Sequence, residues 1–193
     1  MRRGSPICAA ASAGRSGTMK VLGIAGWSGS GKTTMLARLL PVLMARGLVV
    51  SSVKQAGPRF DIDQPGKDSF QHRMAGAHEV LVVSERRWAL MHESQGMPAP
   101  GLGDLLAKME PVDLVLVEGF RRDPHPKLEV HRTAIGRPLI AADDPHIVAV
   151  ATDRRLPDLT LPQFPIDDIG AIASFIADHL ELARRQRPSR AAE

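Results

Sequence analysis

The sequence predicts an α/β fold in which a mostly parallel sheet is flanked by helices. Three observations lead there. Short apolar runs alternate with longer amphipathic segments across residues 19–184. The run Leu114–Val117 is continuously apolar, as a strand covered on both faces is. The first run, Val21–Ala25, leads straight into a glycine-rich loop and a helical segment.

Taken in order, Val21–Ala25 reads as a buried strand and Lys32–Arg46 as a helix stopped by Gly47. Pro41 lies inside that helix and is expected to kink it, since the Ala37 carbonyl loses its partner at about 3 kcal/mol in an unadapted helix. Leu48–Lys54 is a second strand and Ser69–Ala77 a short helix. Val80–Val83 and Trp88–Met91, joined by Ser84–Arg87, are adjacent strands or a hairpin. Leu102–Met109 is a helix; Leu114–Glu118, Lys127–His131 and Ile147–Thr152 are strands. Ile169–Arg184 closes the chain as a helix with Ile172, Phe175, Ile176, Leu180 and Ala183 on one face. No internal repeat is present.

The 193 residues, 44% hydrophobic and 24% charged, suit a soluble domain with one core. No apolar run approaches the roughly 18 residues of a membrane span. The single cysteine, Cys8, cannot form an internal disulfide, which fits a reducing cytoplasm. Aromatics at 4%, with no tyrosine, do not make a stacking platform for single-stranded nucleic acid. Of the formal charge of +4, residues 1–18 contribute +3 and residues 181–193 contribute +2, so residues 19–180 carry −1. A nucleic-acid partner therefore loses its electrostatic support. Residues 1–18 read as a disordered extension, or as an over-long start ahead of Met19. Residues 185–193 read as a disordered basic tail, leaving 19–184 as the domain.

Gly26-Trp27-Ser28-Gly29-Ser30-Gly31-Lys32-Thr33 matches G-x-x-x-x-G-K-[ST] in full, with Thr34 following. Glycines allow successive backbone N–H groups to point inward as an anion nest, and the helix N-terminus adds partial positive charge. Lys32 is expected to reach the β- and γ-phosphates and the Thr33 hydroxyl to ligate Mg²⁺. The expected fold is thus a P-loop NTPase that binds a nucleoside triphosphate.

An acid at another strand end must complete the metal side. Glu118 ends the run Leu114–Val117 and precedes Gly119. The segment 60–69 supplies Asp61, Asp63 and Asp68, where Asp68 or Ser69 alternatively serves only as a helix N-cap. Lys54, ending the second strand, either neutralises phosphate charge or is a solvated strand end, and Arg73 is equally open. The seven histidines show no tight metal spacing, so no zinc site is expected. Asp153 follows the strand Ile147–Thr152, where a carboxylate can accept from the N1–H and exocyclic amine of guanine, or can act as a turn residue.

The stretches GWSGSGKTT (26–34), FDIDQPGKDSFQHRMAGA (60–77), RRWALM (86–91), DLVLVEGF (113–120) and IVAVATD (147–153) occur in this order. With them, residues 19–180 resemble the MobB family of molybdopterin-guanine dinucleotide biosynthesis adaptor proteins. The resemblance implies a P-loop fold of the dethiobiotin synthetase and nitrogenase iron-protein class. It also implies GTP binding with weak Mg²⁺-dependent hydrolysis, a homodimer, and association with the guanylyltransferase that attaches GMP to molybdopterin, with molybdopterin itself a further candidate ligand. Lys32 and Thr33 match the phosphate and magnesium positions, Asp68 and Glu118 the metal-side acids, and Asp153 the guanine reader. One departure stands out: the family often carries histidines after the lysine ending its second strand, where this chain has Gln55-Ala56-Gly57-Pro58.

The alternative is a P-loop small-molecule kinase, whose acceptor-side carboxylate Asp61 or Asp63 would supply. For a homodimer, the hairpin around Ser84–Arg87 and the strand Lys127–His131 are the edges offered for pairing.

Overall fold

The computed structural model describes residues 19–57 and 60–182. The readings made for residues 1–18, 185–193, Cys8 and Ala183 lie outside the described residues. In chain order the elements are β1 (Lys20–Ala25), α1 (Lys32–Ala45), β2 (Val50–Lys54), α2 (Asp68–Met74), β3 (Glu79–Val83), β4 (Trp88–His92), α3 (Leu102–Leu106), β5 (Leu114–Glu118), β6 (Lys127–His131), β7 (Ile147–Thr152), β8 (Gln163–Pro165) and α4 (Ile169–His179). Short 3-10 turns occupy Thr133–Ile135 and Ile140–Ala142. No described helix is long and apolar enough to cross a membrane.

The single stretch 19–184 contains two compact units. Ala56–Met109 forms one, and the described residues on either side of it form the other. In the larger unit the sheet order is β2-β5-β1-β6-β7-β8, and every pairing is parallel. Leu22, Ile24, Leu114, Leu116, Leu128, Val130, Ala149 and Ala151 turn toward Met35, Leu39 and Leu43 of α1 and Ile172, Ala173 and Ile176 of α4. Both helices therefore cover the same sheet face, each fully buried Leu or Ile contributing roughly 1.5–3 kcal/mol. The opposite face holds a smaller cluster, Ala25, Ile140, Ile147 and Val150, with Trp27 and Leu139 packed on it. Pro41 stands within α1 on its exposed side, away from the Met35–Leu39–Leu43 row.

The ends of the helices explain most differences from the sequence reading. α4 stops at His179, five residues short of Arg184. Glu181 takes φ 53°, and Leu182 N–H donates to Ala177 O at 2.8 Å while Glu181 N–H donates to Asp178 O at 3.2 Å. This is a Schellman closure without the usual glycine, so the sequence carries no stop signal. α2 ends the same way at Gly76, φ 98°, with Ala77 N–H donating to His72 O at 3.1 Å. β8 has no signal in the sequence, since three residues flanked by Pro162 and ending in Pro165 carry no period, and its edge position tolerates proline. The strand Lys127–His131 is not an edge: β6 lies between β1 and β7, so it cannot pair with a second copy.

In the smaller unit, β3 and β4 form an antiparallel hairpin with Val83 opposite Trp88 and Leu81 opposite Leu90. All four side chains are exposed, Trp88 by 65%. The N-cap of α2 is Lys67, not Asp68 or Ser69; Asp68 is the first helical residue.

Candidate functional site

Parallel strands deliver their C-terminal ends to one edge, and the candidate residues of the larger unit stand along it in strand order. Lys54 ends β2, Glu118 ends β5, residues 26–31 follow β1, Arg132 follows β6 and Asp153 follows β7. Open α/β sheets bind ligands at this edge.

The loop is shaped by three glycines with positive φ: Gly26 at 148°, Gly29 at 81° and Gly31 at 100°. At Gly26 space is as restrictive as conformation, because a Cβ there would lie 2.5 Å from Ser30 Oγ and 2.6 Å from Val130 O. Trp27 O accepts from Ser30 N–H at 3.1 Å and from Lys32 Nζ at 2.9 Å, so the lysine spans the loop. Gly31, left-handed, caps α1 without any side-chain hydrogen bond, and no acid occupies the first turn. The helix therefore presents its N-terminal N–H groups uncompensated by any carboxylate of its own first turn, which favours an anion. Ser28, Gly29, Thr33 and Thr34 are exposed at the mouth.

Glu118 closes the other side. Both its carboxylate oxygens lie 3.3 Å from Thr33 Oγ1, and Lys54 Nζ sits 3.5 Å from Oε2. The carboxylate is mostly buried whereas Lys54 is 60% exposed, so the ion pair adds little stability. Gly119 turns the chain at φ 106°, with a would-be Cβ 2.4 Å from Gln55 Cβ. Gln55 Oε1 accepts from Phe120 N–H at 2.9 Å, so the glutamine that follows Lys54 supports the Glu118–Gly119 turn. A hydroxyl and a carboxylate, both hard oxygen donors at one point, fit Mg²⁺.

Two further contacts were not legible beforehand. Arg132 Nε donates to Ser30 O at 3.2 Å, bracing the loop from β6. Trp27 donates from Nε1 to Pro138 O at 2.7 Å, and the guanidinium groups of Arg121 and Arg137 lie 5.1 and 5.5 Å from its ring centroid. Only the position of Arg132 directly after a strand end hinted at such a role.

Asp153 is tied to the same edge. Its Oδ1 accepts from Thr133 N–H at 3.0 Å and Thr133 Oγ1 at 3.2 Å. The Thr133 backbone bond, above all, holds this carboxyl below the usual range, so it is an ionised acceptor at neutral pH. Beside it lies a cavity of about 210 Å³ lined by Thr152, Asp153, Arg154, Arg155, Gln163, Phe164 and Pro165.

Asp61, Asp63 and Asp68 belong to the smaller unit. There Arg73 pairs with Asp61 Oδ2 at 2.7 Å, Asp63 Oδ2 at 3.3 Å and Glu93 Oε1 at 2.8 Å. Ser69 Oγ also donates to Asp63 Oδ1 at 2.8 Å. Arg73 is thus the tie of this unit, and Asp61 and Asp63, the carboxylates named for the kinase alternative, are its partners. Among the described residues no group of three or more His, Cys, Asp or Glu side chains is placed to hold a metal by itself.

Comparison with known proteins agrees with this architecture. The family model described as molybdopterin guanine dinucleotide synthesis protein B, MobB, matches residues 21–153. A protein of Escherichia coli K12 named molybdopterin-guanine dinucleotide biosynthesis adapter protein is 38% identical over 164 residues, covering 83% of this chain and 93% of its own length. Its namesake from Haemophilus influenzae is 42% identical over 164 residues, covering 83% and 89%. Among solved structures, one titled molybdopterin-guanine biosynthesis protein B superposes with a TM-score of 0.67 at 29% identity, over 83% of this chain and 99% of that one. A MobB homologue from Bacillus stearothermophilus shows the same fold, with a TM-score of 0.64 at 24% identity over 86% and 100%. With its loop, its strand-edge acid and its sheet order accounted for, the chain belongs to the MobB family of molybdopterin guanine dinucleotide biosynthesis proteins.

Proposed function

We propose that this chain binds GTP with Mg²⁺ at the loop 26–34 and serves as an accessory to the guanylyltransferase that attaches GMP to molybdopterin. The contact of Thr33 with both Glu118 oxygens carries the reading, since it assembles a metal-side pair at the mouth of a phosphate nest. The loop N–H groups and Lys32 hold the phosphates; Thr33 and Glu118 hold the ion, which when bound neutralises phosphate charge. Asp153, two strands or about 10 Å along the edge from the loop, reads the guanine N1–H and amine beside the Phe164 cavity. The adapter names of the relatives support the accessory role.

Hydrolysis is slow in this reading. The loop 26–34 carries no arginine of its own, and Arg132 is engaged with Ser30 O. An arginine on the transferred phosphate is worth about 10³–10⁵ in rate in related systems. Two copies pair through the hairpin β3–β4, whose Leu81, Val83, Trp88 and Leu90 form an exposed apolar row beside free strand edges.

Calorimetry with GTP, ATP and Mg²⁺ tests the core of this reading. GTP should bind in preference to ATP, turnover should stay below about 1 s⁻¹, and Lys32→Ala should abolish binding while circular dichroism is unchanged. Wild-type affinity in Lys32→Ala overturns the site.

A further inference from the structure

The strand β6 carries charge where the sheet is buried. Leu128 and Val130 face α1 and α4, so Lys127, Glu129 and His131 face the other way. Their register partners on β1, Gly23 opposite Lys127 and Ala25 opposite Glu129, are small. Glu129 is wholly buried and satisfied, accepting from Ile140 N–H and Ala141 N–H at 2.9 Å each. Lys127, 1% exposed, donates to Asp123 O at 2.8 Å and pairs with Asp144 Oδ2 at 3.1 Å. An ammonium has three donors, so one remains.

Beside Lys127 a cavity of about 70 Å³ opens against the phosphate-binding loop. Gly23, Gly26, Lys32, Gly119, Arg121 and Lys127 line it. Three basic residues thus line it, Lys127 of β6, Arg121 of the turn after β5 and Lys32 of the loop. His125 stands at the Gly23 wall, 9% exposed, and neither of its ring nitrogens has a hydrogen-bond partner among the described residues. Its Nε2 is 2.6 Å from where a Gly23 Cβ would be, and Lys127 Cγ is 2.8 Å from the same point. Any side chain at position 23 would displace these two groups, so the glycine makes room for His125 and Lys127 at the cavity wall.

We propose that this cavity is a second anion subsite, separate from the nest that holds the nucleotide, and that it takes one tetrahedral oxyanion: inorganic phosphate or the phosphate-monoester end of a second small ligand. The volume suits one such group and no ring. Lys127 offers its third N–H. Arg121, whose guanidinium lies 5.1 Å from the Trp27 ring centroid, lines the cavity and is the group suited to bidentate contact. Lys32 is shared between nest and cavity, so the site brings a second ligand's charged end beside the triphosphate. Its standing as a second subsite rests on the reading of the loop as a GTP site.

The test follows the His125 imidazole by ¹H–¹⁵N NMR while phosphate or methyl phosphate is added, both to the free protein and to protein saturated with a non-hydrolysable GTP analogue and Mg²⁺. A saturable His125 shift in the analogue-loaded protein is expected, weakened at least tenfold by Arg121→Gln and by Lys127→Met. Arg121 is exposed, so its variant reports even where Lys127→Met, which strands Asp144, does not fold. A response to both probes assigns the monoester; a response to phosphate alone assigns the free ion. An unmoved His125, or a shift untouched by Arg121→Gln, overturns the subsite. Absence of analogue binding overturns the GTP reading instead, and the free-protein titration then judges the cavity by itself.

Discussion

Both oxygens of the Glu118 carboxylate lie 3.3 Å from Thr33 Oγ1, joining the end of β5 to the first turn of α1 across 85 residues of sequence. Glu118→Gln keeps the shape and removes the charge. Mg²⁺-dependent GTP hydrolysis should fall about 10- to 100-fold, as loss of an ion-orienting acid does, with GTP affinity changed far less. Titrating turnover against Mg²⁺ checks this. Unaltered metal dependence would place the acid elsewhere, with Asp68 the next residue to test.

Gly26 has no room for a methyl group. Its φ of 148° disfavours any side chain, and a Cβ would press on Ser30 Oγ and on the Val130 carbonyl. Gly26→Ala should cost roughly 1–3 kcal/mol from backbone strain alone. Because backbone rather than a flexible tip is struck, thermal unfolding should move to lower temperature together with loss of nucleotide binding. Gly29→Ala is the informative contrast: its φ of 81° is strained, but nothing lies within 4 Å of its Cβ position.

Asp153 as a guanine reader makes a chemical prediction. Guanine presents two donors to the carboxylate, whereas xanthine presents an oxygen in place of the amine. Asp153→Asn should weaken GTP binding by about tenfold or more, the loss of roughly 1.5–3 kcal/mol for hydrogen bonds to a charged acceptor, and should raise relative affinity for xanthosine triphosphate. Competition binding between GTP and xanthosine triphosphate measures it. Retained GTP selectivity would leave Asp153 only its bonds to Thr133.

His125 sets a pH dependence. Burial, first, and then the Lys127 charge hold its imidazole below the ordinary value of 6.5, against the opposing pull of Asp123 and Asp144, while His146 adds to the lowering. The unfolded chain therefore binds more protons than the folded one as pH drops through 6.5, so stability is full above that value and declines below it. Urea midpoints of wild type and His125→Gln should diverge least near pH 5.5 and most near pH 7.5 if the glutamine is otherwise the less stable. An identical slope in both would remove His125 from the acid response.

The sequence alone determined the phosphate loop, the strand before it and the helix after it, because those signals are local: glycine conformations, a lysine and hydroxyl at set offsets, and periods of two and 3.6 residues. It also placed Glu118 and Asp153 at strand ends. What tertiary structure decided is the lateral order of the strands, which no local period encodes. That order put Glu118 against Thr33, brought Arg132 onto Ser30 and made β6 an interior strand. It also buried Lys127 and Glu129, two charged residues of a strand that the sequence offers as a pairing edge. Their cost is offset only by partners distant in the chain, Asp144 for the lysine and the 140–141 amides for the glutamate. Asp61, Asp63 and Arg73 show the same limit from the other side. Their chemistry suits a phosphate site, and the fold used it to tie one small unit together.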